Sequence, residues 1–304
     1  MPPRGAHDAQ ASVRLRSILF VPGDSERKFA KACACSADAL ILDLEDAVSP
    51  SRKAEARALV AELLQRPDPR SWSFWVRVNA LDTGMTSEDL AAVVRPGLDG
   101  VLLPKANGAA DVTALARQLD KFEASAGMAV GGTRILVVAT ETPAAMFNLG
   151  SYAPAHPRLA GLTWGAEDLS AAVGATTNRG SDGGWSHPYQ LARSLCLFAA
   201  ASAEVAPIET LYADFRDTEG LVESSRTARR DGFTGRIAIH PDQVEPINAC
   251  FSPSPEDLAH ARRVVEAFAA QPDAGTIGMD GKMYDIPHLK AALRVLASDQ
   301  ESVS

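Results

Sequence analysis

Short apolar segments recur along the chain, and longer segments with Ala and Leu at helical spacing separate them. The short segments are rich in β-branched residues and show little polar alternation, which is typical of buried strands. They predict eight strands, over residues 17–23, 39–46, 73–79, 100–106, 134–141, 159–168, 204–211 and 235–241. The separating segments include predicted helices over 51–65, 87–95, 111–125 and 186–203. Strands and helices in alternation indicate a parallel sheet.

The number of strands favours a closed sheet. Continuous apolar strands fit a sheet that helices cover, and eight β/α units predict the α/β class and a (β/α)8 TIM barrel. A doubly wound open sheet is the alternative, but that fold usually has a glycine-rich first turn. The first turn here, "VPGDSERK" at residues 21–28, matches such a turn poorly.

The chain divides into three predicted regions. We expect a disordered tail over residues 1–12, a barrel and catalytic domain over 13–250, and a C-terminal helical extension over 251–304. The extension has helical stretches within 251–275 and 279–299, and proline and glycine interrupt them. We expect this extension to act as a lid or as an arm that reaches a neighbouring subunit.

Composition narrows the classes of function. The 304 residues are 46% hydrophobic and 22% charged, as in globular proteins, and the formal charge of −8 argues against a nucleic-acid partner. No apolar run is long enough to span a membrane, and the N-terminus lacks a signal-peptide core, so we expect a cytoplasmic protein without a membrane partner. The four cysteines are too sparse for a disulfide framework.

Charged residues follow several of the predicted strands. The carboxyl ends of all strands in such a barrel meet at one end, which we call the C-terminal mouth, and active sites lie there. The polar and charged residues expected at this mouth are Asp43, Glu45, Asp46, Arg77, Asn79, Lys105, Glu141 and Asp168.

Glu141 and Asp168 end neighbouring predicted strands. Paired strands lie about 4.8 Å apart, so both carboxylates can approach one cation. Two carboxylates with several open positions suit Mg²⁺, and no histidine cluster suggests zinc. Each acid could instead cap the helix that follows it. The amount of negative charge at one mouth favours the cation.

Arg77 and Lys105 each have two interpretations. Arg77 can grip a substrate carboxylate through two hydrogen bonds, or it can form a salt bridge to Asp43 or Glu45. Lys105 has the position of a Schiff-base lysine, but a charge that balances the acids of the mouth is the preferred role.

Eight motifs together resemble one family. In chain order they are "RSILFVPG" (16–23), "LILDLEDAV" (40–48), "VRVN" (76–79), "LLPKA" (102–106), "ETPAAM" (141–146), "LTWGAEDL" (162–169), "GFTGRIAIHPDQVEPIN" (232–248) and "GKMYDIPHLKAA" (281–292). The chain resembles the HpcH/HpaI aldolase and citrate lyase superfamily, in the branch of citrate lyase β-subunit-like proteins near the malyl-CoA and citramalyl-CoA lyases. The resemblance covers residues from about 16 to 293.

The resemblance implies roles for individual residues. Glu141 and Asp168 would be ligands of Mg²⁺, and Arg77 would hold the carboxylate of the 2-oxo acid. The other implied site residues are Asp43, Glu45 and Asp46 for orienting metal-bound waters, Arg16 and Lys28 for CoA, and Gly165 and Ala166 for substrate.

The resemblance also implies an acid on the extension. Asp285 would donate a proton to the substrate, and Asp280 is close enough in sequence to be confused with it. A helix N-cap is the structural alternative for Asp285. Glu209 and Tyr212 depart from the family pattern, so the acyl pocket near strand seven is expected to differ.

The implied reaction is the reversible cleavage of a β-hydroxyacyl thioester of the citryl, malyl or citramalyl type. Its products would be an acyl thioester and a 2-oxo acid, and the enzyme would be a homotrimer or homohexamer. A malyl-CoA-type thioesterase and a citryl-carrier-protein lyase β subunit within a multisubunit citrate lyase are the alternatives.

Overall fold

A closed barrel of eight parallel strands forms the main part of the protein. The computed structural model describes residues 14–66 and 70–300, so the predicted tail over 1–12 lies outside the described residues. The strands are β1 (Ser17–Pro22), β2 (Ala39–Asp43), β3 (Ser73–Arg77), β4 (Gly100–Leu103), β5 (Arg134–Val138), β6 (Leu159–Thr163), β7 (Ala206–Glu209) and β8 (Gly235–Ala238). Each pairs with the next, and β8 pairs with β1. The predicted TIM barrel is therefore confirmed.

Helices follow the strands of this barrel. They are α1 (Glu26–Cys33), α2 (Lys53–Leu63), α3 (Thr86–Val93), α4 (Ala109–Ser125), α5 (Pro143–Met146), α6 (Glu167–Ala172), α7 (His187–Ser202), α8 (Thr218–Asp231) and α9 (Val244–Phe251). Short 3-10 turns lie at Pro50–Arg52, Leu81–Thr83, Leu149–Tyr152 and Pro241–Gln243. Among the described residues, no helix combines the length and the apolar character needed to cross a membrane.

Side chains from around the barrel form one buried apolar cluster. It consists of Leu15, Ile18, Ala39, Ile41, Trp75, Leu102, Leu136, Val138, Ile208 and Ile237. The indole of Trp75 lies against Gly100 on the paired strand, where an added Cβ would lie 2.1 Å from the ring. The strand ends are therefore held by a packed interior, which makes the C-terminal mouth a rigid support for functional side chains.

The chain separates into two compact units, Leu15–Asn248 and a second that takes in the described residues from Ala249 onward. The second unit contains α10 (Pro255–Ala269), β9 (Thr276–Met279), β10 (Lys282–Asp285) and α11 (Ile286–Gln300). Its own apolar cluster is formed by Ala261, Val264, Phe268, Ile277 and Ala292.

The extension is therefore not purely helical, because an antiparallel hairpin precedes α11. Its two-residue turn is Asp280–Gly281, and both residues have positive φ, at 52° and 72°. Asp-Gly between short strands is a strong hairpin signal, since such a turn requires left-handed conformations at both central positions. The expected helical stretch over 279–299 begins only after this hairpin.

Candidate active site

Asp43 anchors one side of the C-terminal mouth. It is the last residue of β2 and only 1% exposed. Its carboxylate accepts hydrogen bonds from the backbone N–H groups of Glu45 (2.8 Å) and Ala47 (3.0 Å). It therefore fixes the turn that carries Glu45 and Asp46. The role implied for Asp43 in orienting metal-bound water stays a prediction.

Arg77, the last residue of β3, forms the predicted salt bridges. Its Nε and Nη2 donate to the two oxygens of Asp43 at 2.7 and 2.6 Å, and Nη1 lies 2.9 Å from Glu45 Oε2. A guanidinium has five N–H groups, and the two hydrogen bonds to Asp43 leave three of them for a substrate carboxylate. The guanidinium also lies 5.0 Å from the ring centroid of Phe20.

Lys105 connects the acids of the mouth. Its ammonium pairs with Glu45, lies 3.2 Å from Asp46, and lies 3.3 Å from Asp168. Burial lowers its pKa, but the hydrogen bond and the charge of Glu45 outweigh burial, so the pKa is raised overall. A lysine held fully protonated cannot act as a Schiff-base nucleophile, and the geometry supports the balancing role.

Glu141 is a buried carboxylate, 5% exposed, just beyond β5. Its Oε2 accepts the backbone N–H of Lys105 at 2.6 Å, and Lys105 takes a left-handed φ of 52° to present that group. Burial is the main reason that the pKa of Glu141 is raised to about 8, and the charge of Asp168 adds to it. The backbone N–H and the charge of Lys105 offset burial only in part, and a cation would stabilise the ionised carboxylate further.

Asp168 lies in the first turn of α6, not at the end of β6 as predicted. Acids are favoured in a first helical turn, and the chain turns through Gly165 and Ala166 before α6 starts. The capping alternative does not hold for Glu141, because Thr142 caps α5 by accepting from the N–H of Ala145. No side chain caps the start of α6.

The donor set fits a divalent cation held by few protein ligands. Within residues 14–66 and 70–300, no group of three or more His, Cys, Asp or Glu side chains is arranged to hold a metal. Glu141 accepts the backbone N–H of Lys105, and Asp168 contacts its ammonium. A cation bound by these two carboxylates would keep its other coordination positions for water and substrate oxygens. The mouth carries five carboxylates and two cations, Arg77 and Lys105, and a cation would reduce this imbalance.

A buried polar network beneath the mouth was not predicted from the sequence. The ammonium of Lys53 donates to the carbonyls of Leu44 (2.6 Å) and Glu45 (2.7 Å) and to Asn79 Oδ1 (2.8 Å). Asn79, which was expected at the mouth, is buried and donates through its Nδ2 to Asp89 at 2.7 Å. Lys53 therefore holds the turn that carries Glu45 from behind.

We expect Lys53→Met to lower the free energy of unfolding by about 3 kcal/mol, because it leaves buried carbonyl and amide oxygens without their donor. Methionine keeps the length of the side chain, so little volume is lost. Urea denaturation measures the effect, with the exposed Lys121→Met as the control. Equal stability of the two variants would contradict the proposed role of Lys53 in holding the turn that carries Glu45.

Gly165 allows Glu141 to occupy its position. A Cβ on Gly165 would lie 2.8 Å from Glu141 Cγ and 3.1 Å from its Oε1. The backbone N–H of Gly165 donates to Thr140 Oγ1 at 3.1 Å, which fixes the turn. Ala166 is buried at the start of α6. The substrate contacts implied for Gly165 and Ala166 stay a prediction, and the structure adds a packing role for Gly165.

We expect Gly165→Ala to reduce turnover by about 10²-fold, because the methyl group displaces a buried carboxylate. Steady-state kinetics at several Mg²⁺ concentrations measure the loss. Gly150→Ala is the control, since a Cβ there meets no atom within 4 Å. Wild-type kinetics for Gly165→Ala would show that the position of Glu141 does not matter.

The two acids considered on the extension differ in their surroundings. Asp280 lies in the hairpin turn and pairs with Arg263 at 2.5 Å. Asp285 ends β10 and lies 2.5 Å from His288 Nδ1. Sequence reasoning did not single out His288, although its spacing of three residues from Asp285, at the start of a predicted helix, is that of a capping contact.

The two residues expected at CoA lie in different places. Arg16 precedes β1, at the end of the barrel opposite the C-terminal mouth, and its Nε and Nη2 both bind Asp38 at 2.9 and 2.8 Å. The structure does not bring Arg16 to the mouth, and its CoA contact stays a prediction. Lys28 is exposed in the first turn of α1, which follows the carboxyl end of β1, so its side chain remains accessible.

Glu209, which departs from the family pattern, has partners for both of its carboxylate oxygens. It is 2% exposed, accepts from Trp164 Nε1 at 2.5 Å and pairs with Arg193 of α7 at 2.7 Å. These contacts place its carboxylate between the barrel wall and α7. Tyr212 donates to Asp217 at 2.6 Å, next to the start of α8. Glu209 therefore links β7 to α7, and the expected difference in the acyl pocket stays a prediction.

Comparisons with known proteins agree with these observations. The family model for HpcH/HpaI aldolase/citrate lyase matches residues 16–241. The citrate lyase subunit beta of Escherichia coli (strain K12) is 36% identical over 284 residues, which are 93% of this chain and 92% of that protein. A (3S)-malyl-CoA thioesterase of Cereibacter sphaeroides is 36% identical over 298 residues, 96% of each chain.

A solved structure shares the fold and much of the sequence. CitE from Mycobacterium tuberculosis, in complex with magnesium, acetoacetate and coenzyme A, superposes with a TM-score of 0.77 at 34% identity. The match covers 95% of this chain and 99% of that one. The resemblance inferred from the eight motifs is thus confirmed over nearly the whole length. The chain belongs to the HpcH/HpaI aldolase/citrate lyase family.

Proposed function

We propose that the protein is a Mg²⁺-dependent carbon–carbon lyase that cleaves a short β-hydroxyacyl-CoA thioester into an acyl-CoA and a 2-oxo acid. The observation that carries this proposal is the meeting of Glu141, Asp168 and Arg77 at one mouth, two carboxylates for a cation and a guanidinium for a carboxylate. Related proteins are named as citrate lyase β subunits, and a solved relative holds magnesium and coenzyme A.

The residues of the mouth divide the work of such a reaction. Glu141 and Asp168 would hold Mg²⁺, which supplies a Lewis acid that acidifies the substrate hydroxyl and stabilises charge on the forming carbonyl oxygen. Arg77 would bind the carboxylate of the 2-oxo acid through the N–H groups that Asp43 does not use. Glu45 and Asp46, held by Lys105, would orient water beside the cation.

Asp285 is the group proposed to transfer a proton at the α-carbon of the thioester. Cleavage leaves an enolate on the acyl thioester, and this carbon must be protonated before release. We place Asp285 in this role because it ends β10 with its carboxylate partly exposed. The role of the extension as a lid or inter-subunit arm, and a homotrimeric or homohexameric assembly, belong to this same proposal.

Product analysis tests the function. The protein is incubated with Mg²⁺ and, separately, with malyl-CoA, citramalyl-CoA and citryl-CoA, and the products are identified by mass. Glyoxylate, pyruvate or oxaloacetate would support the lyase and name its substrate. Absence of turnover with all three CoA esters would count against a freestanding CoA lyase and favour a carrier-protein substrate.

A thioesterase is the second candidate. The relative named (3S)-malyl-CoA thioesterase covers 96% of this chain, so the same scaffold is compatible with hydrolysis. Free malate or citramalate together with CoA, without a 2-oxo acid, would identify this activity.

A further inference from the structure

We propose that His288 is a positioning residue that holds the Asp285 carboxylate in place for proton transfer at the thioester α-carbon. The inference rests on the proposed function, in which Asp285 is the acid–base group of the extension. His288 lies within the last of the eight motifs, but the family resemblance gives it no role.

The geometry of the pair defines the donor. His288 Nδ1 lies 2.5 Å from Asp285 Oδ1, and the backbone N–H of Asp285 lies 3.2 Å from the same nitrogen. One nitrogen cannot donate and accept at once, and the shorter contact to a carboxylate identifies Nδ1–H as the donor. No side chain of the described residues donates to Oδ2, so this oxygen is the one left for substrate.

One neighbouring ring packs against the imidazole of His288, whose side chain is 51% exposed. The ring of Tyr284 meets that of His288 edge to face, with centroids 5.2 Å apart, and His260 of α10 lies 5.8 Å from Tyr284. A hydrogen bond made by a ring with fixed orientation restricts its partner more than one made by a freely rotating group. The elements of this unit carry further charged and titratable groups, which are Glu256, Asp257, His260, Arg262, Arg263 and Glu266 on α10, Asp280 in the hairpin turn, Lys282 and Tyr284 on β10, and Lys290, Arg294 and Asp299 on α11.

The hydrogen bond from His288 lowers the pKa of Asp285, so the carboxylate is ionised at neutral pH. In the condensation direction this carboxylate takes a proton from the α-carbon of the acyl thioester. The C–H bond breaks, the O–H bond forms on Asp285, and the electron pair passes to the thioester as an enolate. By microscopic reversibility, cleavage uses the protonated form of Asp285, whose O–H bond breaks as the C–H bond forms at the enolate carbon, which leaves the carboxylate.

The test measures exchange of the α-protons of acetyl-CoA with D2O by NMR, with Mg²⁺ present and over a range of pD. We expect His288→Ala to slow exchange by about ten- to a hundred-fold. Its acid limb should move to higher pD, because loss of the donor returns the pKa of Asp285 toward its ordinary value. His288→Asn should retain most of the rate, because the asparagine N–H can replace Nδ1–H.

The controls separate this inference from the proposed function. Lys290→Ala, on the same helix, should exchange at the wild-type rate. If the wild type makes a 2-oxo acid and His288→Ala exchanges normally with an unchanged acid limb, the inference alone is overturned. Equal losses for His288→Ala and His288→Asn would likewise overturn it, because the hydrogen bond would not be the cause. Wild-type exchange by Asp285→Asn would remove the assigned role of Asp285 itself.

A readout without turnover completes the test. Imidazole ¹⁵N NMR should show His288 protonated on Nδ1 in the wild type, with this preference lost in Asp285→Ala. The same Nε2-protonated neutral form in both proteins would overturn the hydrogen bond on which the inference depends.

Discussion

Asp168→Ala is expected to reduce Mg²⁺-dependent turnover by at least about 10³-fold while the barrel remains folded. The mutation removes one of the two proposed protein ligands of the cation. A bound cation stabilises transition-state charge by several kcal/mol, so the loss is large. The side chain of Asp168 is 36% exposed, and its ion pair is with Lys105 at 3.3 Å. Such a partly exposed pair contributes little to stability, so the melting temperature should change slightly.

The measurement compares turnover across a Mg²⁺ titration with thermal unfolding of the same protein. Glu167→Ala is the matched control, because Glu167 is an exposed acid in the same helical turn. Glu167→Ala should retain wild-type kinetics. A folded Asp168→Ala protein with undiminished turnover would refute the metal assignment.

The barrel could be predicted because its signal is repeated and local. Each strand is a short apolar run that both the packed interior and the covering helices bury, so β1 to β8 are all recognisable without any long-range information. The positions at which the strands end could be predicted less accurately. Residues 44–46 continue the run "LILDLED" in sequence, but β2 ends at Asp43, whose carboxylate binds the following backbone and turns the chain.

The approximate composition of the mouth was also predictable, because parallel strands must place their carboxyl ends together. Pairings across the mouth were not. The contact of Lys105 with Asp168 joins residues far apart in sequence. The backbone of Lys105 is left-handed, and its N–H donates to Glu141. Only the folded chain determines which acid meets which cation.

Supporting residues escaped prediction for a different reason. Lys53 and Asn79 read as ordinary polar residues near a helix start and a strand end, yet both are buried in a network with Asp89. Arg16 differs from these residues, since the family resemblance implied its CoA contact, and the ion pair with Asp38 is visible only in the structure. Burial and partners, which sequence does not contain, decide these roles.

Arg77→Ala is expected to lower kcat/KM by about 10²–10³-fold and the free energy of unfolding by about 3–5 kcal/mol. The kinetic loss follows from removing the proposed carboxylate grip, which orients the 2-oxo acid. The loss of stability follows because the buried carboxylates of Asp43 and Glu45 would lose this partner. Arg77→Lys should recover part of the stability but little of the activity, since an ammonium cannot make the same paired hydrogen bonds.

The stability loss of Arg77→Ala should shrink as the pH falls. Burial already raises the pKa of Glu45, and the charge of Arg77 opposes that rise, so its removal raises the pKa further. A folded state with a raised carboxyl pKa gains stability on protonation, so the deficit is full above that pKa and declines as the pH falls through it. Urea denaturation at several pH values measures this, with the exposed Arg117→Ala as control. A deficit that stays constant with pH would show that lost packing, and not uncompensated charge, destabilises the variant.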